Sequence, residues 1–247
     1  MARKCIIVTG ASRGIGAAIA LRLAQDGYIV GCLSRSAGLP DVGEVEGAVR
    51  ERWIGCACDV TDPQSLHRAL ASFAERGLAI SGLVNNAGVH LEGKSHEFPL
   101  DDWRRVIDTN ATSVFAGCQA AYPHLVQAGG GLIVNIGSFF DKLGVKRNLA
   151  YCASKAAVGA MTRCLAVEWA GQGIKVLDVA PGYIQTDLNK DVMGSGPLRA
   201  YLEKRIPGGA PGTANDVAKL VAALFRIDSG FLTGETIYID GAQGVAH

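Results

Sequence analysis

The 247-residue chain has almost no net charge, +1 at pH 7, with 24 lysines and arginines against 23 acids. Without a basic field there is nothing for a nucleic-acid backbone to dock on, so any anion must be held by local geometry. No run of 18 apolar residues occurs, and no helical membrane span is expected. Arg3 and Lys4 precede an apolar run that already stops at Val8, too short for a secretion signal, so the cytoplasm is the expected compartment. Proline is scarce, 8 residues beside 32 glycines, a balance that suits strand-to-helix turns rather than disorder. The seven cysteines are an odd number spread over the chain and read as reduced core residues; Cys56-x-Cys58 lacks a second pair or a nearby histidine and does not make a zinc site. His67, His90, His96, His124 and His247 have no metal-ligand spacing, so no metal is expected. Ser138 has no credible histidine partner, which argues against a hydrolase. No repeat, linker or low-complexity stretch divides the chain, and one domain over residues 1–247 is expected.

What is present is organised around Cys5-Ile6-Ile7-Val8-Thr9-Gly10-Ala11-Ser12-Arg13-Gly14-Ile15-Gly16. Successive β-branched residues predict a parallel strand covered on both faces. Glycines at 10, 14 and 16 remove side chains where a tight turn, an approaching ligand and close helix-to-sheet packing would be obstructed. The helix that follows begins near Arg13 or Gly14, and its free N–H groups and dipole suit a pyrophosphate. The order is G-x-x-x-G-x-G, not the usual dinucleotide fingerprint; a glycine-rich turn with no ligand is the alternative.

Apolar spacing carries the helix to Asp26-Gly27, and a second strand runs from Tyr28 to Leu33, ending in Ser34-Arg35. In a dinucleotide fold an acid at this tip would bond a ribose 2′-hydroxyl, whereas arginine accommodates a 2′-phosphate. Ser34 and Arg35 therefore point to NADP(H), with Arg13 as a second cation; solvated surface arginines are the alternative. Residues 36–52 read as a loop with at most a short helix. A third strand covers 53–58, after which Asp62 caps a helix with Pro63 at its first position. Asp59 is either a cofactor contact or a turn former. A short strand, 82–84, leads into Asn85-Asn86-Ala87-Gly88, which suits a shaped loop that a ligand approaches. A helical pattern then spans about 101–127, broken only by Pro123, and includes Asn110, either a satisfied core amide or a residue holding water.

Strand 131–136 ends at Gly137-Ser138. The next helix carries Tyr151 and Lys155, four residues apart and so on one face, close enough for an ammonium to sit near a phenol. A sixth strand ends at Ala180-Pro181-Gly182. Residues 183–212, with an amphipathic piece at 198–205, read as a substrate flap; a helix at 216–226 and a strand at 235–240 follow. Strand and helix alternate throughout, so an α/β fold with a doubly wound parallel sheet and helices on both faces is expected.

Thr9-Gly10-x-x-x-Gly14-Ile15-Gly16, Asn85-Asn86-Ala87-Gly88, Asn110, Ser138, Tyr151-x-x-x-Lys155 and Pro181-Gly182, in that order over nearly the whole chain, resemble the short-chain dehydrogenase/reductase family. The resemblance implies a Rossmann-like fold with seven strands in the order 3-2-1-4-5-6-7 and commonly a homotetramer. It implies a catalytic set of Asn110, Ser138, Tyr151 and Lys155: a phenol that donates the proton to a forming alkoxide, a lysine that favours phenolate and binds the nicotinamide ribose, a serine on the substrate oxygen and an asparagine holding a relay water. Cofactor positions implied are Gly10, Ser12, Arg13, Ile15 and Gly16 at the pyrophosphate, Ser34 and Arg35 at the 2′-phosphate, and Asp59 and Val60 near adenine. Asn86, Ala87 and Gly88 would follow the ribose, Tyr151 and Lys155 would share in cofactor binding, and Pro181, Gly182, Ile184 and Thr186 would lie along the carboxamide side. Activity on a ketone/secondary-alcohol pair follows, with 3-oxoacyl thioesters, sugar acids and cyclic or secondary alcohols equally suited; a silent cofactor-binding regulator on the same fold is the other class. Phe139 and Phe140 suggest an apolar pocket wall, and Lys142, Lys146 and Arg147 would meet an anionic substrate tail or, as the favoured reading, face water.

Overall fold

The computed structural model describes residues 3–186, 189, 191 and 195–246. Strand β1 (Lys4–Thr9) leads into α1 (Gly14–Gln25), then β2 (Ile29–Ser34), the short α2 (Gly47–Arg50), β3 (Trp53–Ala57) and α3 (Pro63–Glu75). After β4 (Ala79–Asn85) come α4 (Leu100–Ile107), a π-helical turn (Asp108–Thr112) and α5 (Ser113–Gln127). Strand β5 (Gly131–Ile136) is followed by a 3-10 turn (Phe139–Lys142), α6 (Leu149–Trp169) and β6 (Ile174–Pro181). The chain then forms β7 (Ile184–Gln185), α7 (Gly196–Arg205), β8 (Gly212–Thr213), α8 (Ala214–Arg226) and β9 (Thr236–Ile239). Seven strands make one sheet in the order β3-β2-β1-β4-β5-β6-β9, every pair parallel. Strands β7 and β8 pair separately, so the seven main strands, counted in chain order, have the expected order 3-2-1-4-5-6-7. None of the described helices is long and apolar enough to cross a membrane.

Both sheet faces are covered, which is why β1 reads as an unbroken apolar run. Cys5 and Ile7 enter a core shared with α3, α5 and α6, while Ile6 and Val8 enter the opposite core beneath α1 and α8. The period of two thus distributes one strand between two cores. At the N-terminus of α3 the Asp62 carboxylate accepts from Gln64 N at 2.9 Å, and Pro63 opens the helix where no intrahelical donor is needed. Four of the seven cysteines, Cys5, Cys32, Cys58 and Cys118, are fully buried; Cys164 is exposed and departs from the core assignment.

Two expectations are corrected. The fourth strand is longer than 82–84, running from Ala79 to Asn85 in register with β1 and β5. Pro123 does not break its helix: it lies inside α5, which continues to Gln127. The irregularity falls earlier, at the π turn carrying Asn110. A proline near a helix end forfeits one hydrogen bond, whereas the π turn re-aims a side chain. Within 183–212, the described residues form β7, α7 and β8, with Leu202 and Ile206 buried against Tyr183 and Leu198. Residues 187, 188, 190 and 192–194 of the expected flap lie outside the described residues.

Gly31, in the middle of β2, leaves the space that α3 fills. A Cβ there would lie 2.5 Å from Ile7 Cδ1 and 2.9 Å from Phe73 Cζ. Both neighbours are completely or almost completely buried and have no free volume to retreat into, so Gly31→Ala is expected to cost ~1–3 kcal/mol by overpacking, measured as a lower midpoint in urea unfolding.

Candidate active site

The tips of β1 and β4 are clamped together. Thr9 Oγ1 accepts from Asn86 N at 2.9 Å and Ala87 N at 3.0 Å, while Asn86 Nδ2 donates to Thr9 O at 3.0 Å and Gly10 O at 3.2 Å. Asn86 therefore shapes the glycine turn as well as its own loop. Its neighbour Asn85 points the other way, donating to Asn135 Oδ1 at 2.9 Å; Asn135 in turn donates to Thr162 Oγ1 at 2.9 Å. This buried amide chain ties β4 and β5 to α6.

Gly10 and Gly14 adopt φ of +64° and +58°, left-handed conformations that favour glycine. A Cβ on Gly16 would sit 2.2 Å from Gly10 O and 2.4 Å from Asn86 Nδ2, so α1 rests directly on the turn. Arg13 occupies the N-cap with no side-chain hydrogen bond to the helix, and the first turn holds no acid. The leading N–H groups of α1 thus keep their capacity for an external anion. Thr186 Cγ2 would lie 3.8 Å from a Cβ on Gly14, which brings the Thr186 segment over the same turn. These features form a cradle that fits a dinucleotide.

At the tip of β2, Ser34 Oγ donates to Gly38 O at 3.4 Å, and Asp41 N donates to Ser12 O at 2.9 Å. The loop after β2 therefore folds back along the glycine turn. Arg13 and Arg35 are exposed beside it. Asp59 accepts from Thr61 N at 2.9 Å and from Thr61 Oγ1 at 2.7 Å, and these bonds, aided by nearby Arg35, hold its carboxyl below the usual range. One Asp59 oxygen is thus committed to a turn. Val60 and Ile15 are partly buried against the two cores. Gly182 N donates to Ile239 O at 3.0 Å, and a Cβ on Gly182 would meet Asp240 Cα at 2.7 Å. Pro181 and Ile184 are buried.

The four expected catalytic residues converge above β4 and β5. Asn110, fully buried, accepts from Val89 N at 2.8 Å and donates to Val89 O at 2.8 Å and to Ser154 Oγ at 3.2 Å. Both alternatives for it began from the need for a partner, and the partners are the loop after Gly88 and α6. Lys155, 5% exposed, donates from Nζ to Ile136 O at 2.7 Å. Ser138 caps the 3-10 turn by accepting from Phe140 N at 3.2 Å, and its hydroxyl acts to lower the Tyr151 pKa.

The electrostatics differ from the expected pull of lysine on phenol. Burial raises the Tyr151 pKa above the ordinary phenol value, and the Ser138 hydroxyl opposes that rise. Lys155 Nζ lies 5.7 Å from the Tyr151 ring centroid, and its own burial lowers its pKa to about 8 despite the opposing influence of Asp178. In this arrangement desolvation is the largest influence on both Tyr151 and Lys155.

The pocket wall is more aromatic than the sequence suggested. Phe140 meets Tyr151 edge-on at 6.0 Å, and Tyr183 packs against Phe139 at 5.6 Å and Phe140 at 6.0 Å. His90 stacks on Tyr151 at 4.7 Å and bonds Asn148 Oδ1. Asn148 and Tyr183 lie in the loop and flap expected to shape the substrate pocket, whereas the sequence marks His90 only by its lack of metal-ligand spacing; no local spacing links any of them to Tyr151. Lys142 lies over the Tyr238 ring at 3.4 Å, outside this wall, and Lys146 and Arg147 are exposed.

Comparison with known proteins finds a match over residues 10–243 to the family described as Enoyl-(Acyl carrier protein) reductase. The chain is similar to 3beta-hydroxysteroid dehydrogenase 1 of Eggerthella lenta, 35% identical over 97% of this chain and 93% of the relative. It is also similar to 3-oxoacyl-[acyl-carrier-protein] reductase FabG of Vibrio harveyi, 34% identical over 97% of each chain. Among solved structures, a gluconate 5-dehydrogenase from Burkholderia cenocepacia in complex with NADP and tartrate superposes with a TM-score of 0.88 at 30% identity, covering 99% of this chain and 96% of that one.

Gly16→Ala tests the cradle. Its Cβ would strike backbone that Asn86 holds in place, so the turn must open at a cost of ~1–3 kcal/mol. Dinucleotide affinity is expected to fall about tenfold or more, read by titration of NADPH fluorescence.

Proposed function

The chain belongs to the short-chain dehydrogenase/reductase family, and on that footing we propose that it is an NADP(H)-dependent oxidoreductase interconverting a ketone and a secondary alcohol. The observation that carries the reading is the convergence of Ser138, Tyr151 and Lys155 on the tip of β5 beside the glycine cradle. Bound in that cradle, the nicotinamide supplies or accepts the hydride. Tyr151 gives its proton to the substrate oxygen as alkoxide character develops. Ser138 donates a hydrogen bond to the same oxygen and steadies the phenol. Lys155 compensates the negative charge left on Tyr151, which requires the ammonium form, and holds the ribose. Asn110, besides fixing the Val89 loop, retains the relay water in this reading.

Arg13 and Arg35, exposed beside the glycine turn with no acid at the tip of β2, support NADP(H) over NAD(H). The remaining cofactor contacts proposed are those of Ser12, Ile15, Ser34, Asp59, Val60, Asn86 to Gly88, Pro181, Gly182, Ile184 and Thr186. Residues 183–212 serve as the substrate flap, completing a pocket with Phe139, Phe140 and Tyr183. Leu100, Phe115, Leu149 and Val167, apolar yet exposed on α4, α5 and α6, support a homotetramer. A regulatory binding protein on this fold has no need of the complete proton-transfer set.

The test is NADPH oxidation with a panel of 3-oxoacyl thioesters, cyclic and aromatic ketones and keto-sugar acids. Turnover is expected with at least one class, and Tyr151→Phe is expected to lower kcat by about 10²–10⁴-fold while leaving NADPH affinity nearly intact. Undiminished turnover in that variant would remove Tyr151 as the acid; equal affinity for NADH and NADPH would remove the cofactor assignment.

A further inference from the structure

Among the described residues, Asp178 on β6 is the one carboxylate that is completely buried, at 0% exposure. Its Oδ2 accepts from Thr236 Oγ1 at 3.1 Å, and its Oδ1 has no partner. A buried carboxylate held by a single hydroxyl is costly unless a compensating charge is near. The surroundings are built around it. A Cβ on Gly137 would lie 2.4 Å from Oδ1, and one on Gly159 would lie 3.9 Å from Oδ2. Gly159 follows Lys155 by four residues on α6, hence on the same face of that helix. Gly137 stands between Ile136, whose carbonyl holds Lys155 Nζ, and Ser138, whose hydroxyl acts to lower the Tyr151 pKa. Two consecutive residues at the tip of β5 therefore meet the lysine and the buried acid.

We propose that Asp178 is a positioning residue whose carboxylate, seated in the slot left by Gly137 and Gly159, is the buried counter-charge that keeps Lys155 an ammonium on the Ile136 carbonyl. Its bearing on catalysis rests on the proposed ketone reduction; the charge relation itself does not. The two groups are not in direct contact, since no ion pair within 4.0 Å joins them among the described residues, and the interaction acts through a low-dielectric interior where it is weakly screened. Other charged and titratable groups also face the acid. Arg163 approaches along α6, its Nη1 3.6 Å from where a Gly159 Cβ would stand. Asp141, from the 3-10 turn, opposes ionisation of Asp178, and Tyr238 on β9 donates to Asp141 Oδ2 at 2.8 Å. Lys155 is the cation that lowers the Asp178 pKa, and Asp178 is the group that raises the Lys155 pKa. Burial leaves Asp178 at about 6 and Lys155 at about 8, so both are charged between those values.

A purely structural Asp178 would need only its Thr236 bond, which asparagine also accepts. The full chain labelled with 13C at lysine Cε allows Lys155 to be titrated by NMR, its resonance assigned by loss in Lys155→Met. Asp178→Asn is expected to lower the Lys155 midpoint by about one unit, because the ammonium loses its counter-charge. Thr236→Val, which raises the acid's pKa and so weakens that charge near neutrality, is expected to shift the midpoint the same way by less. The alkaline limb of ketone reduction should move down with the midpoint in both. An unchanged midpoint in folded Asp178→Asn would overturn the proposal; if that variant does not fold, an unchanged midpoint in Thr236→Val would do so. A shifted midpoint in a protein silent toward every ketone would keep the charge relation and remove the reductase reading.

Discussion

The bond from Lys155 Nζ to Ile136 O, 2.7 Å long and nearly sealed from water, is the contact on which the site depends. It fixes α6 to the tip of β5 and orients the ammonium, with the Tyr151 ring centroid 5.7 Å away. A lysine buried this deeply would tend to lose its proton. Its retention near neutrality requires negative potential from elsewhere, and Asp178 stands behind the same strand tip. The amide chain through Asn85, Asn135 and Thr162 secures that helix from the sheet side, and Asn110 secures it from the loop after Gly88 through Ser154.

The cofactor side obeys a different constraint. Its geometry comes from backbone and from missing side chains: two left-handed glycines, a third that rests on a carbonyl, and a helix that begins without its own anion. Thr9 and Asn86 join this cradle to β4, so the turn and the loop after β4 cannot shift independently. A surface with balanced charge supplies no general attraction for a phosphate. Selection of the anion therefore falls to the turn and to the arginines beside it.

Local pattern made most of the fold legible. The β-branched run of β1, the Asp62-Pro63 helix start and the alternation of strand and helix are all short-range signals, and each element was found where it was expected. The exceptions are cases in which distant partners decide. Pro123 is carried through because α5 is held along the sheet, whereas the π turn answers to Val89, 21 residues away from Asn110 in sequence. Tyr151 and Lys155 were readable from helical spacing, but their charge states were not, because burial is set by what packs over them. The contacts of His90 and Asp178 were invisible for the same reason: each meets its neighbours only through the fold.

Following the hydride itself is the most direct check. With a ketone from the panel and NADPH carrying deuterium at the transferable C4 position, mass spectrometry should find one deuterium on the carbinol carbon of the product. Product without that deuterium, or NADPH oxidised with no alcohol formed, would contradict assignment of this site as a carbonyl reductase.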